Sequence, residues 1–413
     1  MKTLRIVTFL LASSLVGPAA LAINEQDVRN SVVKIHTTQR LPNPYRPWTK
    51  QNPRELSGSG AVIEGNRILT NAHVVMYSRE IYVQPYQSAD RIEAKVVAVS
   101  PTMDLAVLEI ADKEFFKTHA ALPIAQGLPA LKQTVNAYGY PTGGKDLSIT
   151  EGIISRIEVA SYNLGYIGVR IQVDAALNPG NSGGPAIVDG KIVGIVYSGI
   201  PSAENIGYLI PSEEVNLFLE DITDGTYDGK PHFIAGLQTA ENEGFRNMLK
   251  LGDSVTGVIV TEPPKVVKDV LKEWDVITHI GEHAIDNDAR VTVRDDLRLD
   301  FRYQVPRIAK DGKVEITVLR DGESIKLQVP VLKRGNKIIQ SLLGEYPRYF
   351  IYGPMVFTAA TNEFITSMGA RGPAMLTAID SPLLSRLGDD KTDDDDELVA
   401  IASPLFSHKI IKG

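Results

Sequence analysis

From residue 32 to about residue 211 the chain is a succession of short β-branched runs, each closed off by Gly, Pro or Asn. Val32-Val33-Lys34-Ile35-His36, Gly60-Ala61-Val62-Ile63, Ile81-Tyr82-Val83, residues 94–99 and residues 105–110 form the first group. Residues 135–139, 152–157, 170–173 and 192–196 form the second. β-Branched side chains suit a pleated, half-buried surface. So many short strands at even spacing, with few helical periods between them, predict an all-β barrel or sandwich. A helical stretch follows at residues 212–219, with apolar Val215, Leu217, Phe218 and Leu219. Residues 221–230, rich in Asp, Gly and Pro, then read as a linker.

Residues 233–332 change character, mixing strands at 257–260, 275–277, 314–318 and 325–329 with two helical stretches. Asp321-Gly322 is the centre of a predicted hairpin turn. A faint repeat follows. Phe233-Ile234-Ala235-Gly236 and Phe350-Ile351-Tyr352-Gly353 each precede a Thr-Ala pair and an Asn/Glu-rich helix start, which predicts a second, diverged copy of one module from about residue 341. That copy stops midway: residues 398–404 parallel residues 257–263, and nine residues remain beyond them.

The length of 413 residues predicts two or three domains. With no cysteine, disulfides, thiolate metal sites and cysteine nucleophiles are excluded. Residues 1–22 carry Lys2 and Arg5, an apolar stretch over 6–16 and a terminal Ala20-Leu21-Ala22. This is the pattern of a cleaved secretory signal, too short and too interrupted by Ser13 and Ser14 to anchor. An exported protein with no stable membrane span is expected. The net charge of −7 comes largely from the acidic run at 389–397. With no basic stripe, nucleic acid is not an expected partner. The run itself lacks Asp-x-Asp-x-Asp-Gly spacing and reads as a solvated loop, not a calcium site.

Three motifs stand in order within the β-rich half: Thr70-Asn71-Ala72-His73-Val74, then Asp104-Leu105-Ala106-Val107-Leu108, then residues 178–185, Asn-Pro-Gly-Asn-Ser-Gly-Gly-Pro. A serine hydroxyl is a poor nucleophile near neutral pH. It needs a base within hydrogen-bond reach and a carboxylate that fixes the base's tautomer. His73, Asp104 and Ser182 supply those functions. The glycines around Ser182 permit a tight turn that aims the N–H groups of Gly180 and Ser182 at one point, where an oxyanion would develop.

These motifs resemble the HtrA/Deg serine endopeptidases, and the resemblance extends over most of the chain. It implies a chymotrypsin-like double β-barrel over residues 23–220, a linker over 221–230, an α+β PDZ domain over 231–335 and an incomplete, diverged second PDZ-like module over 341–413. The site would lie between the barrels. Residues 205–211 resemble the family's specificity-pocket stretch, with Leu209 where alanine is usual. Tyr208, Leu209, Ile210 and Leu177 would form a shallow apolar pocket for small P1 side chains such as Val or Ala. Ile234, Ala235, Gly236 and Leu237 match the loop that holds a peptide C-terminus, although Trp274 replaces a family glycine nearby. A long helix at 301–305 and the repeat at 349–357 resemble the plant-type Deg branch. The resemblance implies an ATP-independent protease of unfolded or damaged proteins, periplasmic or extracellular, built from trimers and needing no cofactor. A chaperone or PDZ scaffold with an idle protease fold is the alternative.

Two further motifs are set aside. His279 and His283 are four apart, but Ile280-Gly281-Glu282 between them reads as strand and turn, so no metal site is expected. The glycines at 139–144 lack the Gly-Lys-Ser/Thr of a phosphate loop.

Overall fold

The computed structural model describes residues 24–161, 167–197, 207–333, 335, 337–393 and 396–408. The predicted leader lies outside them, as do Asn205 and Ile206. Six strands, β1 (Val32–Gln39), β2 (Arg54–Ile63), β3 (Arg67–Thr70), β4 (Ser78–Gln84), β5 (Ile92–Ser100) and β6 (Leu105–Ile110), close into a barrel in the order β1-β2-β3-β6-β5-β4. A second barrel is built from β7 (Thr134–Gly139), β8 (Ser148–Ser161), β9 (Ile167–Val173), β10 (Pro185–Val188), β11 (Lys191–Tyr197) and β12 (Gly207–Pro211), in the order β10-β11-β12-β9-β8-β7. This is an all-β, chymotrypsin-like fold. Closure matters energetically because it leaves no unpaired strand edge in either barrel.

Alternation along the strands decides which side chains fill which core. Val33, Ile35, Val62, Ile68 and Leu108 pack inside the first barrel, and Val135, Ile154, Ile171 and Val193 inside the second. A third cluster joins the two: Ile63, Leu69, Met103 and Leu105 meet Ile192, Ile195, Ile210 and Phe218. Each such side chain contributes about 1.5–3 kcal/mol when fully buried, so the barrel–barrel contact is a core in its own right.

The predicted linker is packed. Residues 222–224 form a 3-10 turn closed by Gly225 at φ +88°, Tyr227 lies edge-on to Phe218 at 5.7 Å, and Lys230 pairs with Glu214 at 2.8 Å. Beyond it, β13 (Gly236–Thr239), β14 (Val258–Glu262), β15 (Val276–Ile280), β16 (His283–Ala284), β17 (Arg290–Arg294), β18 (Leu297–Asp300), β19 (Lys313–Arg320) and β20 (Glu323–Pro330) form the next module. Its sheet runs β13-β14-β15-β19-β20, with β16 paired to β15. The hairpin predicted at Asp321-Gly322 is present, with φ of +50° and +84° at the two residues and Arg320 opposite Glu323. That is the primed-turn geometry whose twist matches paired strands. The helix expected to be long is instead a 3-10 turn, Phe301–Gln304, running into a single helical turn, Val305–Ile308, with Pro306 near its start.

The β17–β18 hairpin fixes this module to the second barrel. Leu297, Leu299 and Tyr303 enter that barrel's apolar cluster, while Arg294 donates to the carbonyls of Leu128 (3.0 Å) and Pro129 (2.7 Å). Residues beyond 336 form a smaller body with its own core of Ile338, Ile339, Phe364, Ile365 and Leu376. Its sheet is β21 (Tyr349–Tyr352), β22 (Met355–Ala359) and β23 (Val399–Ile401). β22 pairs antiparallel with β23 as β13 pairs with β14, the pattern that the two sequence repeats suggest. These sheets after the barrels are consistent with PDZ domains.

Candidate active site

His73 sits in a single helical turn, Ala72–Val75, immediately after β3. Asp104 precedes β6, the neighbour of β3, so the barrel's own hydrogen bonding brings the two together. Asp104 is buried and grips His73 twice. Oδ1 accepts the His73 backbone N–H at 2.9 Å, and Oδ2 lies 2.7 Å from Nδ1. With the proton on Nδ1, Nε2 is left as the basic nitrogen. Asp104 holds φ +59°, a left-handed conformation that Asp tolerates better than most residues, and its carbonyl accepts from Asn71 Nδ2 at 2.9 Å. Burial disfavours the charged imidazolium, but the Asp104 charge and hydrogen bond outweigh it, so the His73 pKa lies above its ordinary value.

Ser182 comes from the second half, on the loop between β9 and β10. Asn178, Pro179, Gly180 and Asn181 form a turn in which the Asn181 N–H donates to Asn178 O at 3.0 Å and Gly180 holds φ +98°. Proline second and a positive-φ glycine third is the type II arrangement. The Pro179 carbonyl is tied to the Thr142 N–H at 2.7 Å. Because the peptide is planar and trans, the Gly180 N–H points the opposite way. A Cβ on Gly180 would lie 2.4 Å from Thr142 N and 2.5 Å from Tyr140 O, so only glycine fits.

Sequence reasoning missed the residue that joins the halves. Ser59 on β2 donates through Oγ to Gly180 O (2.8 Å) and accepts there from the Tyr140 N–H (2.8 Å). Its own N–H donates to Ser182 O at 2.9 Å, and Thr70 Oγ1 donates to its carbonyl at 2.7 Å. The flanking glycines were the available signal. A Cβ on Gly58 would meet Val74 Cγ1 at 2.7 Å, and one on Gly60 would meet Ile35 Cδ1 at 2.9 Å. Gln39 was missed too. Its buried amide donates to the carbonyls of His73 (2.8 Å) and Val74 (3.1 Å) and accepts from Arg54 (2.9 Å), bracing the helical turn that carries His73.

The four residues expected in one specificity pocket are divided by strand alternation. Leu177 presses on Gly207, where a Cβ would lie 2.5 Å from its Cδ1, and joins the same cluster as fully buried Leu209. Tyr208 and Ile210 face the other side of β12: Tyr208 is half-buried with its hydroxyl 3.5 Å from Glu158, and Ile210 belongs to the barrel–barrel core. In the next module, Ile234, Ala235, Gly236 and Leu237 are half-buried and lead into β13, the end strand of its sheet. A Cβ on Gly236 would come within 2.8 Å of Glu262 Cβ. Ile234, Arg302 and Tyr303 share a cavity of about 1060 Å³. Trp274 stands at φ +72°, a conformation that favours glycine. His279 and His283 flank the turn between β15 and β16, with Ile280 opposite His283, so their spacing is that of a hairpin.

Two antiparallel six-stranded barrels, with a histidine and aspartate held together on one and a serine loop on the other, define a chymotrypsin-like serine protease fold. A trypsin-like peptidase domain matches residues 58–195, a span containing His73, Asp104 and Ser182. Among curated proteins of Arabidopsis thaliana, protease Do-like 4, mitochondrial, is 37% identical over 342 residues, covering 82% of this chain and 66% of its own. Putative protease Do-like 13 is 33% identical over 348 residues, covering 83% and 71%. The chain belongs to the HtrA/Deg family of serine proteases. It spans about two-thirds of the length of Do-like 4 and 57% of protease Do-like 2, chloroplastic. The solved HtrA-type protease AlgW with decapeptide shares the fold, with a TM-score of 0.57 at 24% identity, over 76% of this chain and 99% of that one.

Proposed function

We propose that the protein is a serine endopeptidase that cuts polypeptides through an acyl-enzyme. Ser182 Oγ attacks the scissile carbonyl while His73 Nε2 takes its proton, and the leaving amine receives that proton as the acyl-enzyme forms. Water then attacks with His73 again as base. Asp104 orients His73, and the N–H groups of Gly180 and Ser182 stabilise the oxyanion. The double grip of Asp104 on His73 is the observation that carries this reading, because a merely structural aspartate has no reason to fix both the position and the tautomer of one imidazole. Leu177 against Gly207 supports a shallow apolar P1 pocket for Val or Ala.

The chain divides in this reading into a leader (1–22), a protease domain (23–220), a connector (221–230), a PDZ domain (231–335) that receives peptide C-termini at residues 234–237, and a diverged second module (341–413). Substrates are unfolded or damaged proteins, cut without ATP by a trimer-based assembly in the periplasm or outside the cell. Among the described residues no helix is long and apolar enough to cross a membrane. The test is digestion of unfolded casein by the purified protein beside Ser182→Ala, without ATP, with cleavage sites read by mass spectrometry. Cutting by the wild type alone, with Val and Ala dominant at P1, is expected. Suppression of aggregation by both proteins, with no cleavage by either, would instead favour a chaperone or scaffold.

A further inference from the structure

A second hollow, of about 470 Å³, lies between the first barrel and the C-terminal body. Arg40, Lys50 and Arg79 line it, facing a single acid, Glu345. Among the described residues none of the three cations forms an ion pair. Among the described residues, Arg40 Nε and Ser78 Oγ are buried beside it without a hydrogen-bond partner. Unpaired buried polar groups are costly, and two at one place call for an explanation. The hollow is also shaped by strain. Tyr77 holds φ +59°, a left-handed conformation that bulky residues rarely adopt, and stacks edge-on to Tyr346 at 5.6 Å. Tyr346 is fastened in turn, its hydroxyl donating to Arg40 O at 2.8 Å and its ring lying under Lys50 Nζ at 3.9 Å.

The remaining wall is apolar: Val75, Met76, Val96, Val99 and Leu343. An inorganic anion would satisfy the cations and leave that wall against water. A neutral apolar ligand would do the reverse. We propose that the hollow binds an organic carboxylate, its charged end among Arg40, Lys50 and Arg79 and its apolar body on Met76, Val99 and Leu343. That chemistry is offered equally by the C-terminal residue of a peptide and by a small free acid. A ligand seated there braces the C-terminal body against the turn that carries His73, since Val75 ends that turn and Gln39, beside Arg40, holds its carbonyls.

The test is calorimetric titration of the full-length Ser182→Ala protein, which cannot consume peptide probes. The probes are 4-methylpentanoate and its amide, and acetyl-Ala-Ala-Val-Leu as the free acid and as the C-terminal amide. One acid at least should bind saturably, about tenfold or more tighter than its amide, a difference of about 1.4 kcal/mol. Lys50→Gln and Arg79→Gln alter exposed side chains and should leave the fold intact; each should weaken the acid severalfold, and Arg40→Gln should weaken it further. A tighter peptide acid identifies a chain terminus as the source, and a tighter free acid a small molecule. Equal binding of acids and amides, or binding of inorganic phosphate in place of the acids, overturns the proposal. Peptide binding that survives all three substitutions belongs to the loop at residues 234–237, and the proposal is overturned when neither acid is weakened by any of them.

Discussion

Ser59→Ala tests whether the serine loop is held from the first barrel. The hydroxyl joins two groups at once, accepting from the Tyr140 N–H and donating to Gly180 O, both at 2.8 Å and both inside the protein. Removing it leaves a buried donor and a buried acceptor unmet at about 1–3 kcal/mol each, so roughly 2–4 kcal/mol of stability should be lost once partial relaxation is allowed. At about 2–4 °C per kcal/mol for a domain of this size, the melting temperature should fall by on the order of 10 °C. The kinetic effect has a separate origin. Gly180 is pinned on one side by Thr142 N–H holding Pro179 O and on the other by Ser59 holding Gly180 O. Freeing the second side lets the turn relax toward a geometry in which the Gly180 N–H no longer aims at the oxyanion. Loss of one such donor costs about 10²–10³ in kcat, so a partial release should cost about 10–10² with KM little changed. Burst kinetics on an activated ester measure this below the variant's melting range. A variant with the expected melting shift but kcat within twofold of the parent refutes the idea that Ser59 positions the turn.

Ser182→Ala should abolish peptide hydrolysis while leaving the melting temperature nearly unchanged. Asp104→Asn should lower kcat by about 10⁴. Because the Asp104 charge and hydrogen bond hold the His73 pKa up against burial, the acid limb of the residual kcat/KM profile should also move to lower pH; a limb that stays in place contradicts that cause. Glu214→Gln breaks a buried pair whose side chains are 1% and 12% exposed and should destabilise by about 3–5 kcal/mol, read by denaturant unfolding. Burial pushes the Glu214 carboxyl up, but Lys230, with Arg170 and Arg307, holds it below the usual range. Its stabilisation is therefore present above the unfolded carboxyl's pKa and lost as pH falls through the depressed folded value. The gap between parent and Glu214→Gln stability should close over that acid window and nowhere above it.

Much of the barrel pair was legible because its signals are local. Period-two alternation and glycine punctuation report a strand wherever it pairs, and Asp321-Gly322 specifies its own turn. The His73, Asp104 and Ser182 motifs were legible for a related reason, since each is a short run whose chemistry names it. What was not legible depends on tertiary neighbours. The connector reads as flexible by composition, yet Tyr227 finds Phe218 and Lys230 finds Glu214. Residues 301–305 carry helical residues, but Tyr303 is drawn into the second barrel's cluster, with its hydroxyl on Glu213 at 2.9 Å, and only short turns form. The four residues expected to line one pocket divide between two faces because Tyr208, Leu209 and Ile210 are consecutive on a strand and must alternate.

The placement of the candidate site makes its integrity a property of the barrel–barrel contact. His73 and Asp104 are fixed within one barrel by strand pairing, so their mutual geometry survives any small motion of the other. Ser182 and its loop belong to the second half, and Ser59, the edge-on contact of His73 with Tyr197 at 6.1 Å and the apolar core around Leu69, Leu105, Ile195 and Ile210 register them against His73. The β17–β18 hairpin adds a restraint on the second barrel, through Leu297, Leu299 and the Arg294 hydrogen bonds. Force applied to that hairpin is therefore delivered to the barrel whose half carries Ser182. Changes at Arg294 should accordingly alter kcat through the alignment of Ser182 with His73, while the pH at which His73 titrates stays where Asp104 sets it.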